Sequence, residues 1–362
     1  MRKIIIICSG LLLATGLFFI VKSLIFYQKV YTPKKIIFSK TTDKLKTDYN
    51  ILLLGYGGPG HDGAYLTDTM MVLHLDIKTH KATLISIPRD IWVKLPTKSG
   101  TPFGAKINTV YQTELFPETF PDVDTKNELT KSILKQVTGL EMDNYIAIDF
   151  SAFRQAINIL GGVDINVVRA FTDDEYPLDG KQKDLCGKEE KDLPELEKIA
   201  TESPELAFPC RYEKLDFSIG VQHMDADRAL KFVRSRHSDQ DGGDFNRAAR
   251  QQLFIDAIKE KILSVGFLPK IPTIMDEFAN HMKTDISPTE LKKYLSEAQK
   301  AEKYEVKNLV LSDNEYIDFG RSEDGQSILL PKAGLNKWSQ VHTWIAKTIK
   351  RISPTPTKIR SN

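Results

Sequence analysis

The alternation of apolar and polar positions divides the chain into a leading span, a tether and one long folded region. Ile4 to Val21 is a mainly apolar run of eighteen residues without a charge, preceded by Arg2 and Lys3. That length just crosses a bilayer, and its LFFIVK ending differs from the small-residue cleavage site of a signal peptide, so the pattern predicts an uncleaved membrane anchor. Residues 27–48 are polar and Lys-rich with no periodic apolar face, which predicts a tether. Folding proper is expected from about Asn50. Ile51–Leu54, Met70–Leu75 and Ala82–Ile87 are short runs with β-branched content and read as strands, the last two joined by a tight link around Lys78–His80. Leu129–Val137 has helical spacing. Tyr145–Ile148, Phe150–Leu160 and Val163–Val168 then read as strand, helix and strand, with Gly161 and Gly162 ending the helix, which argues for α/β architecture.

Residues 172–211 interrupt this pattern with low apolar content and several prolines, and are expected to form a surface insertion within a domain spanning 49–350. Cys186 and Cys210 bracket its polar centre; as a disulfide they would contribute roughly 3–4 kcal/mol by closing the loop. Farther on, Ser287-Pro288-Thr289-Glu290 is a capping box, Val306–Leu311 and Ser327–Leu330 read as strands, and Trp338–Ile352 reads as a closing amphipathic helix. The tail, 351–362, is expected to be disordered.

Composition narrows the partners. Fifty basic residues against 48 acidic ones give a net charge of +2, so bulk attraction to nucleic acid is not expected. The seven histidines are scattered, no zinc-type Cys/His spacing occurs, and there is no internal repeat.

Local clusters carry the chemistry. Asp225 to Gln252 sets Arg234 and Arg236 on one side of a glycine turn and Arg247, Arg250 and Gln251 on the other. Asp225 reads as the cap of a short helix and Asp244 as the N-cap of a long one, with Arg247, Arg250 and Gln251 on one face of its first two turns. Phe254, Ala257, Ile258 and Ile262 continue roughly that face, which should be buried, so the arginines are expected to point into a cavity. Convergent guanidinium forks beside a helix N-terminus suit phosphate oxygens; the alternative is a solvated charged face with surface ion pairs.

Two further segments are weaker alone. Leu54–Thr69 places five glycines between positions 55 and 63, then Asp68 before the next strand. It is neither a Walker loop nor a convincing dinucleotide fingerprint, and a Gly-rich stretch is often only a turn. Ile85–Trp92 puts Arg89 and Asp90 directly after a strand, where α/β sheets present ligand-binding groups, although an Arg-Asp neighbour pair is by default a surface pair.

Together these segments change the picture. SIPRD, the glycine-rich loop ending in LTDT, AKIN at Ala105–Asn108, the run from Asp149 to Ile165 and the ALKFVRSR…GDFNRAARQQ block occur in an order and spacing that resemble the LytR-CpsA-Psr family of bacterial cell-envelope proteins, over about Tyr49–Ile349. The resemblance implies an extracytoplasmic α/β/α sandwich with a central mixed sheet, behind one N-terminal transmembrane helix with its cytoplasmic stub (1–26). It implies a single-pass protein of the bacterial cell membrane that takes a glycopolymer from a polyprenyl-pyrophosphate carrier and transfers its phosphosugar end to a cell-wall hydroxyl, on peptidoglycan or a similar acceptor.

By the same resemblance, Arg89, Arg234, Arg236, Arg247 and Gln251 match pyrophosphate-binding groups, Asp68 matches a magnesium-associated aspartate, and Arg250 matches a less fixed position. Arg89 and Asp68 are the residues expected to act in the chemistry. A divalent cation, Mg²⁺ or Mn²⁺, is implied with Asp68 as ligand. One departure stands out: family members carry an aspartate shortly after the first strand, where this chain has Gly55-Tyr56-Gly57. Asp62 is the expected replacement, simple loss the alternative, and His61 is a further candidate for contact with phosphate or acceptor. Two rival readings use the same residues: a non-catalytic receptor for polyprenyl pyrophosphates or glycans, and a pyrophosphate hydrolase with water as acceptor. A DNA-binding role would need a basic recognition helix before the span, where only a few residues stand.

Overall fold

The computed structural model describes residues 21–33, 46–61, 63–126, 128–264, 271–311 and 316–350. The expected anchor up to residue 20, Asp62 and the expected tail lie outside these residues. Among the described residues no helix is long and apolar enough to cross a membrane. Residues 21–30 form a helix (α1), after which Tyr31 bridges to Thr284 and the Thr32 N–H donates to the Thr284 carbonyl at 2.7 Å. The first residues expected to form a tether are therefore docked on the folded region.

Six strands build the central sheet: β1 (Asp48–Tyr56), β2 (Thr67–Asp76), β3 (Lys81–Ser86), β6 (Asn144–Asp149), β11 (Met282–Thr284) and β12 (Glu305–Val310), in the order β11-β6-β1-β2-β3-β12. The sheet is mixed. β1 and β6 are parallel, as are β3 and β12, whereas β2 runs antiparallel to both β1 and β3. The tight link between β2 and β3 is a turn in which His80 takes φ of 51°.

Alternation along β1 decides what each face of the sheet does. Leu52, Leu54 and Tyr56 point to the back, where they pack with Val72 and Ile85 against α2 (Val110–Leu115), α3 (Leu129–Thr138) and α11 (Ser339–Lys350) through Val110, Leu134 and Ile345. That core also takes in the ribbon of β4 (Trp92–Leu95) and β5 (Phe103–Lys106) and the hairpin of β13 (Ile317–Arg321) and β14 (Ser327–Pro331), through Val93, Ala105, Ile317 and Leu329. Leu53 and Gly55 point to the front, toward α4 (Phe150–Leu160), α7 (Ala226–Arg234) and α8 (Gly243–Ser264). The start of α4 is set by Asp149, whose Oδ1 accepts from the Ala152 N–H at 2.9 Å; its end is set by Gly161 in the left-handed region.

Two expectations need correction. The strand after α4, β7 (Val163–Val167), does not join the central sheet but pairs antiparallel with β10 (Gly220–Met224) in a ribbon of its own. Its pattern explains this: Val163, Ile165 and Val167 are buried while Asp164 and Asn166 are exposed, the half-buried alternation of an antiparallel strand rather than the continuous apolar run of a central parallel one. The stretch read as a surface insertion begins with a core element. β8 (Phe171–Pro177) and β9 (Tyr212–Phe217) form a hairpin whose Phe171, Tyr176, Leu215 and Phe217 are buried under α7. Only the segment between them, with α5 (Leu193–Glu202) and α6 (Pro204–Ala207), lies outside this core, and the Cys186–Cys210 disulfide closes it. Beyond α8 come α9 (Ile271–Phe278) and α10 (Pro288–Ala298); Ser287 and Glu290 form the expected reciprocal capping box on α10.

Candidate active site

A cavity of about 320 Å³ lies between the front of the sheet and α4, α7 and α8. Its depth is apolar, walled by Leu53, Met71, Ile146, Ile148, Phe153 and Phe254. Phe153 and Phe254 stack with ring centroids 4.6 Å apart. Charged side chains and one amide share this volume: Asp68, Arg89, Asp149, Arg234, Arg236, Arg247 and Gln251 all line it. They arrive from the carboxyl ends of β3 and β6, the start of β2, the end of α7 with the residues just after it, and the start of α8, so residues up to 183 positions apart (Asp68 to Gln251) line one cavity.

Arg89 follows β3, and its NH1 donates to Asp68 Oδ1 at 2.7 Å. Its Nε is buried without a hydrogen bond, 3.6 Å from Asp90 Oδ2 and 4.0 Å from Asp244 Oδ2. Burial opposes its charge, but Asp68, Asp244 and Asp90 outweigh burial and hold the guanidinium protonated more firmly than usual. Asp90 and Asp244 approach one another behind it. Burial and the contact with Asp244 push the Asp90 carboxyl up; Lys106, which donates to Asp90 Oδ1 at 2.6 Å, pulls the other way.

Asp244 does not serve as the expected N-cap. α8 begins one residue earlier, at Gly243, and the Asp244 carboxylate pairs with Arg247 NH2 at 3.0 Å. Arg247 is 5% exposed, and burial lowers its proton affinity against the pull of Asp244. A buried guanidinium beside open volume gains if an anion enters.

Arg234 lies over the Phe150 ring at 4.4 Å, donates to the Tyr176 hydroxyl at 3.0 Å, and stands 3.5 Å from Asp179 Oδ1. The loop carrying Arg236 is fixed by Asp173, which is fully buried. Its Oδ2 accepts from the Ser235 hydroxyl at 2.5 Å and from the backbone N–H groups of Arg236 and His237 at 3.1 and 3.2 Å. Three donors on one carboxylate oxygen make the direction of this loop a property of β8.

Arg250 departs from the expectation. It does not line the cavity; it is 2% exposed and spends its donors on Asp241 Oδ2 at 2.7 Å, the Asp241 carbonyl at 2.6 Å, the Phe232 carbonyl at 3.1 Å and the Ser235 carbonyl. The Phe232 and Ser235 carbonyls belong to the end of α7, so Arg250 satisfies groups that a helix leaves unpaired. Helical geometry separates it from its neighbours: at about 100° per residue, positions 250 and 251 diverge by about 100°, whereas 247 and 251 stay within about 40°.

The glycine loop shows why a side chain is missing at position 57. A Cβ there would sit 2.9 Å from the Cβ of His61, so His61 fills that space. His61 Nδ1 lies 3.2 Å from Asp179 Oδ1, and its ring meets Phe150 edge-on. Gly58 has φ of 86°, and a Cβ on it would press on Asp149 at 3.0 Å, which keeps this residue glycine. Asp149 lines the cavity, but both its oxygens are engaged, one capping α4 and the other 2.7 Å from His281 Nδ1.

The donor set suits a hard cation that shares its ligands with a phosphate. Arg89 takes one oxygen of Asp68, and Mg²⁺ characteristically binds through one or two carboxylates together with substrate phosphates. Among the described residues the single set of three metal-ligating side chains within 4.8 Å is Asp184 with Cys186 and Cys210, away from the cavity and tied up by the disulfide. Sequence reasoning placed Asp90 beside Arg89 at the end of a strand but did not single out Lys106, Asp149, Asp173 or Tyr176. The first two of these sit inside motifs it had quoted; the last two fall in the stretch it took for surface decoration.

The fold is a mixed α/β domain with a largely apolar cavity lined also by arginines from several elements. The chain belongs to the LytR_cpsA_psr family, whose profile matches residues 22–340. It is 27% identical over 255 residues to the polyisoprenyl-teichoic acid–peptidoglycan teichoic acid transferase TagV of Bacillus subtilis, covering 70% of this chain and 53% of that protein. It is 24% identical over 269 residues to a transferase of the same description, TagU of Enterococcus faecalis, covering 74% of this chain and 70% of that one. The chain thus spans about half the length of TagV. The fold matches the crystal structure of B. subtilis TagV with a TM-score of 0.54 at 20% identity, over 86% of this chain and 100% of that one. It matches a structure described as TagT bound to LIIa-WTA with a TM-score of 0.54 at 18% identity, over 86% of this chain and 92% of that one.

Proposed function

We propose that this chain is a membrane-anchored, extracytoplasmic phosphotransferase. Its donor is a glycopolymer on a polyprenyl-pyrophosphate carrier, its acceptor a hydroxyl of peptidoglycan or a similar wall polymer, and it has no nucleic-acid partner. The observation that carries this reading is the cavity, whose apolar depth suits an isoprenoid chain and whose cationic mouth suits a pyrophosphate. The names of TagV and TagU as polyisoprenyl-teichoic acid–peptidoglycan teichoic acid transferases point the same way. Phe153 and Phe254, two aromatic side chains of α4 and α8, form part of the lipid wall.

In the reaction the acceptor oxygen attacks the phosphorus that carries the sugar. A new P–O bond forms, the bond to the bridging pyrophosphate oxygen breaks, polyprenyl phosphate leaves, and the acceptor hydroxyl gives up its proton. Arg89, Arg234, Arg236, Arg247 and Gln251 hold the phosphate oxygens in place and offset the charge that gathers on the leaving oxygen. Asp173 keeps the 235–237 loop turned toward that charge, and the Asp90–Asp244–Lys106 group holds Arg89 and Arg247 from behind. A bound Mg²⁺ or Mn²⁺, held by Asp68 and phosphate oxygens with Asp62 as a further candidate ligand, would supply charge neutralisation at the pyrophosphate.

The test is turnover by the full chain in lipid nanodiscs, supplied with a short polyprenyl-pyrophosphate glycan and a wall-glycan acceptor, with and without chelator. Chelator-sensitive release of polyprenyl phosphate, matched by glycan on the acceptor and lost in Asp68→Ala, supports the reading. Release without acceptor modification would make the protein a hydrolase. Tight donor binding with no release would make it a receptor.

A further inference from the structure

We propose that Asp179 is an internal competitor for the anion at the cavity's arginines: its carboxylate neutralises Arg234 between turnovers, yields to the donor's pyrophosphate, and returns to help discharge the phosphorylated lipid. Only the last of these steps rests on the phosphotransferase reading. Asp179 lies two residues beyond β8, in the segment that connects β8 to β9.

One carboxylate meets three groups from three parts of the chain. Asp179 Oδ1 stands 3.2 Å from Nδ1 of His61, in the loop after β1, and 3.5 Å from NH2 of Arg234, at the end of α7. Oδ2 stands 3.8 Å from NH2 of Arg154 on α4. Two guanidinium groups and an imidazole around one anion are what a phosphate oxygen would also meet there, and Arg234 lines the cavity itself.

These contacts have the geometry of an exchangeable pair. Arg250, which closes the end of α7, meets Asp241 Oδ2 at 2.7 Å, whereas all three distances at Asp179 exceed the roughly 2.7–2.9 Å of a tight charge-assisted bond. The Asp179 side chain is 36% exposed, so water competes for it. Gly180 follows in the left-handed region, with φ of 77°, and a Cβ on it would meet nothing within 4 Å, which leaves open space beside the turn. Nor does Arg234 need Asp179 to keep its place. Its NH1 donates to the Tyr176 hydroxyl at 3.0 Å and its guanidinium lies 4.4 Å from the Phe150 ring centroid, so removing the carboxylate frees charge without unseating the side chain.

The backbone limits how far the carboxylate withdraws. The Leu178 N–H donates to the Arg211 carbonyl at 2.8 Å, and Arg211, next to Cys210 of the disulfide, donates from Nε to the Asp184 carbonyl at 2.7 Å. The turn therefore stays beside Arg234 when the side chain swings out, and the carboxylate keeps a high effective concentration there. The donor presents two phosphoryl groups to the arginines and the lipid product only one, so the product has fewer contacts to hold against the returning carboxylate.

The experiment titrates the full chain in lipid nanodiscs with inorganic pyrophosphate at fixed free Mg²⁺, read by calorimetry, with a cooperative thermal transition as the fold control for each variant. Asp179→Asn is expected to bind about 3–5-fold more tightly than wild type, the upper range for one partly exposed ion pair. Asp227→Asn removes the same charge from the other side of Arg154, whose Nε is 2.8 Å from Asp227 Oδ1, and should change binding by less than about twofold. In an Arg234→Met background the gain from Asp179→Asn should vanish, which separates competition at Arg234 from long-range repulsion. Weaker or unchanged binding in Asp179→Asn, as an orienting role requires, an equal gain in Asp227→Asn, or a gain that survives Arg234→Met would overturn the proposal. For release, Asp179→Asn should slow repeated turnover, leave the first turnover unchanged and be inhibited more strongly by polyprenyl phosphate; equal slowing of both phases would overturn that step. No transfer by wild type would remove the phosphotransferase reading and the release step with it, while the pyrophosphate titration still decides the competition.

Discussion

The two faces of the central sheet treat buried charge in opposite ways. On the back, Lys131 lies between Asp285 and Glu128, so its charge is answered inside the protein. On the front, Arg89, Arg234, Arg236 and Arg247 converge on open volume, and the carboxylates that touch them also hold them in position. The same contrast recurs along α8, where Arg250 closes the end of α7 while Arg247, three residues earlier, faces the cavity. A cation whose donors end on carbonyls and a carboxylate of its own chain is architecture; a cation facing space is available to a ligand.

Five substitutions test this contrast. Arg250→Met, which leaves Asp241 and the α7 carbonyls buried without their partner, should cost about 3–5 kcal/mol of stability in urea unfolding, on the scale of breaking a buried pair. Arg247→Met should cost far less stability and instead weaken inorganic pyrophosphate binding; equal destabilisation by both would erase the distinction. Arg89→Ala should lower transfer by about 10²–10³ in the nanodisc assay while the thermal transition stays cooperative, the usual scale for losing one donor to the transition state.

On the back face, burial opposes the Lys131 charge but Asp285 and Glu128 outweigh it, so its proton affinity is raised in the fold. A raised lysine contributes stability that is fully present below its unfolded value, about 10.4, and is lost as pH climbs through the folded value. The stability gap between wild type and Lys131→Met should therefore stay constant from pH 7 to about 9 and narrow only above about 10.5. Ser287→Ala, two residues beyond Asp285 and not among the residues lining the front cavity, should cost about 1 kcal/mol by removing one half of the α10 capping box and leave transfer unchanged.

Much of this was legible in the sequence because it is local. The strands at 51–54, 70–75 and 82–87, the helix Phe150–Leu160 and the caps at Asp225 and Ser287 follow from periodicity and side-chain chemistry within a few residues. What was not legible depends on distant partners. Nothing near Asp173 announces that it will order the 235–237 loop, and the pairing of β7 with β10 rather than with the central sheet is set by chain 50 or more residues away. Arg250 was misplaced for a subtler reason. Positions 247, 250 and 251 share a broad face, but only two of them share the narrower strip that meets the cavity.

The central claim is that one cavity holds both ends of the donor, the lipid in its depth and the pyrophosphate at its arginines. The most direct measurement is photolabelling of the full chain with a short polyprenyl pyrophosphate carrying a diazirine near the lipid terminus, followed by peptide mapping. The account predicts adducts on cavity-lining residues such as Met71, Phe153 and Phe254, suppressed by excess unlabelled donor and by Arg89→Ala. Adducts confined to the outer surface, unaffected by competitor, would contradict it.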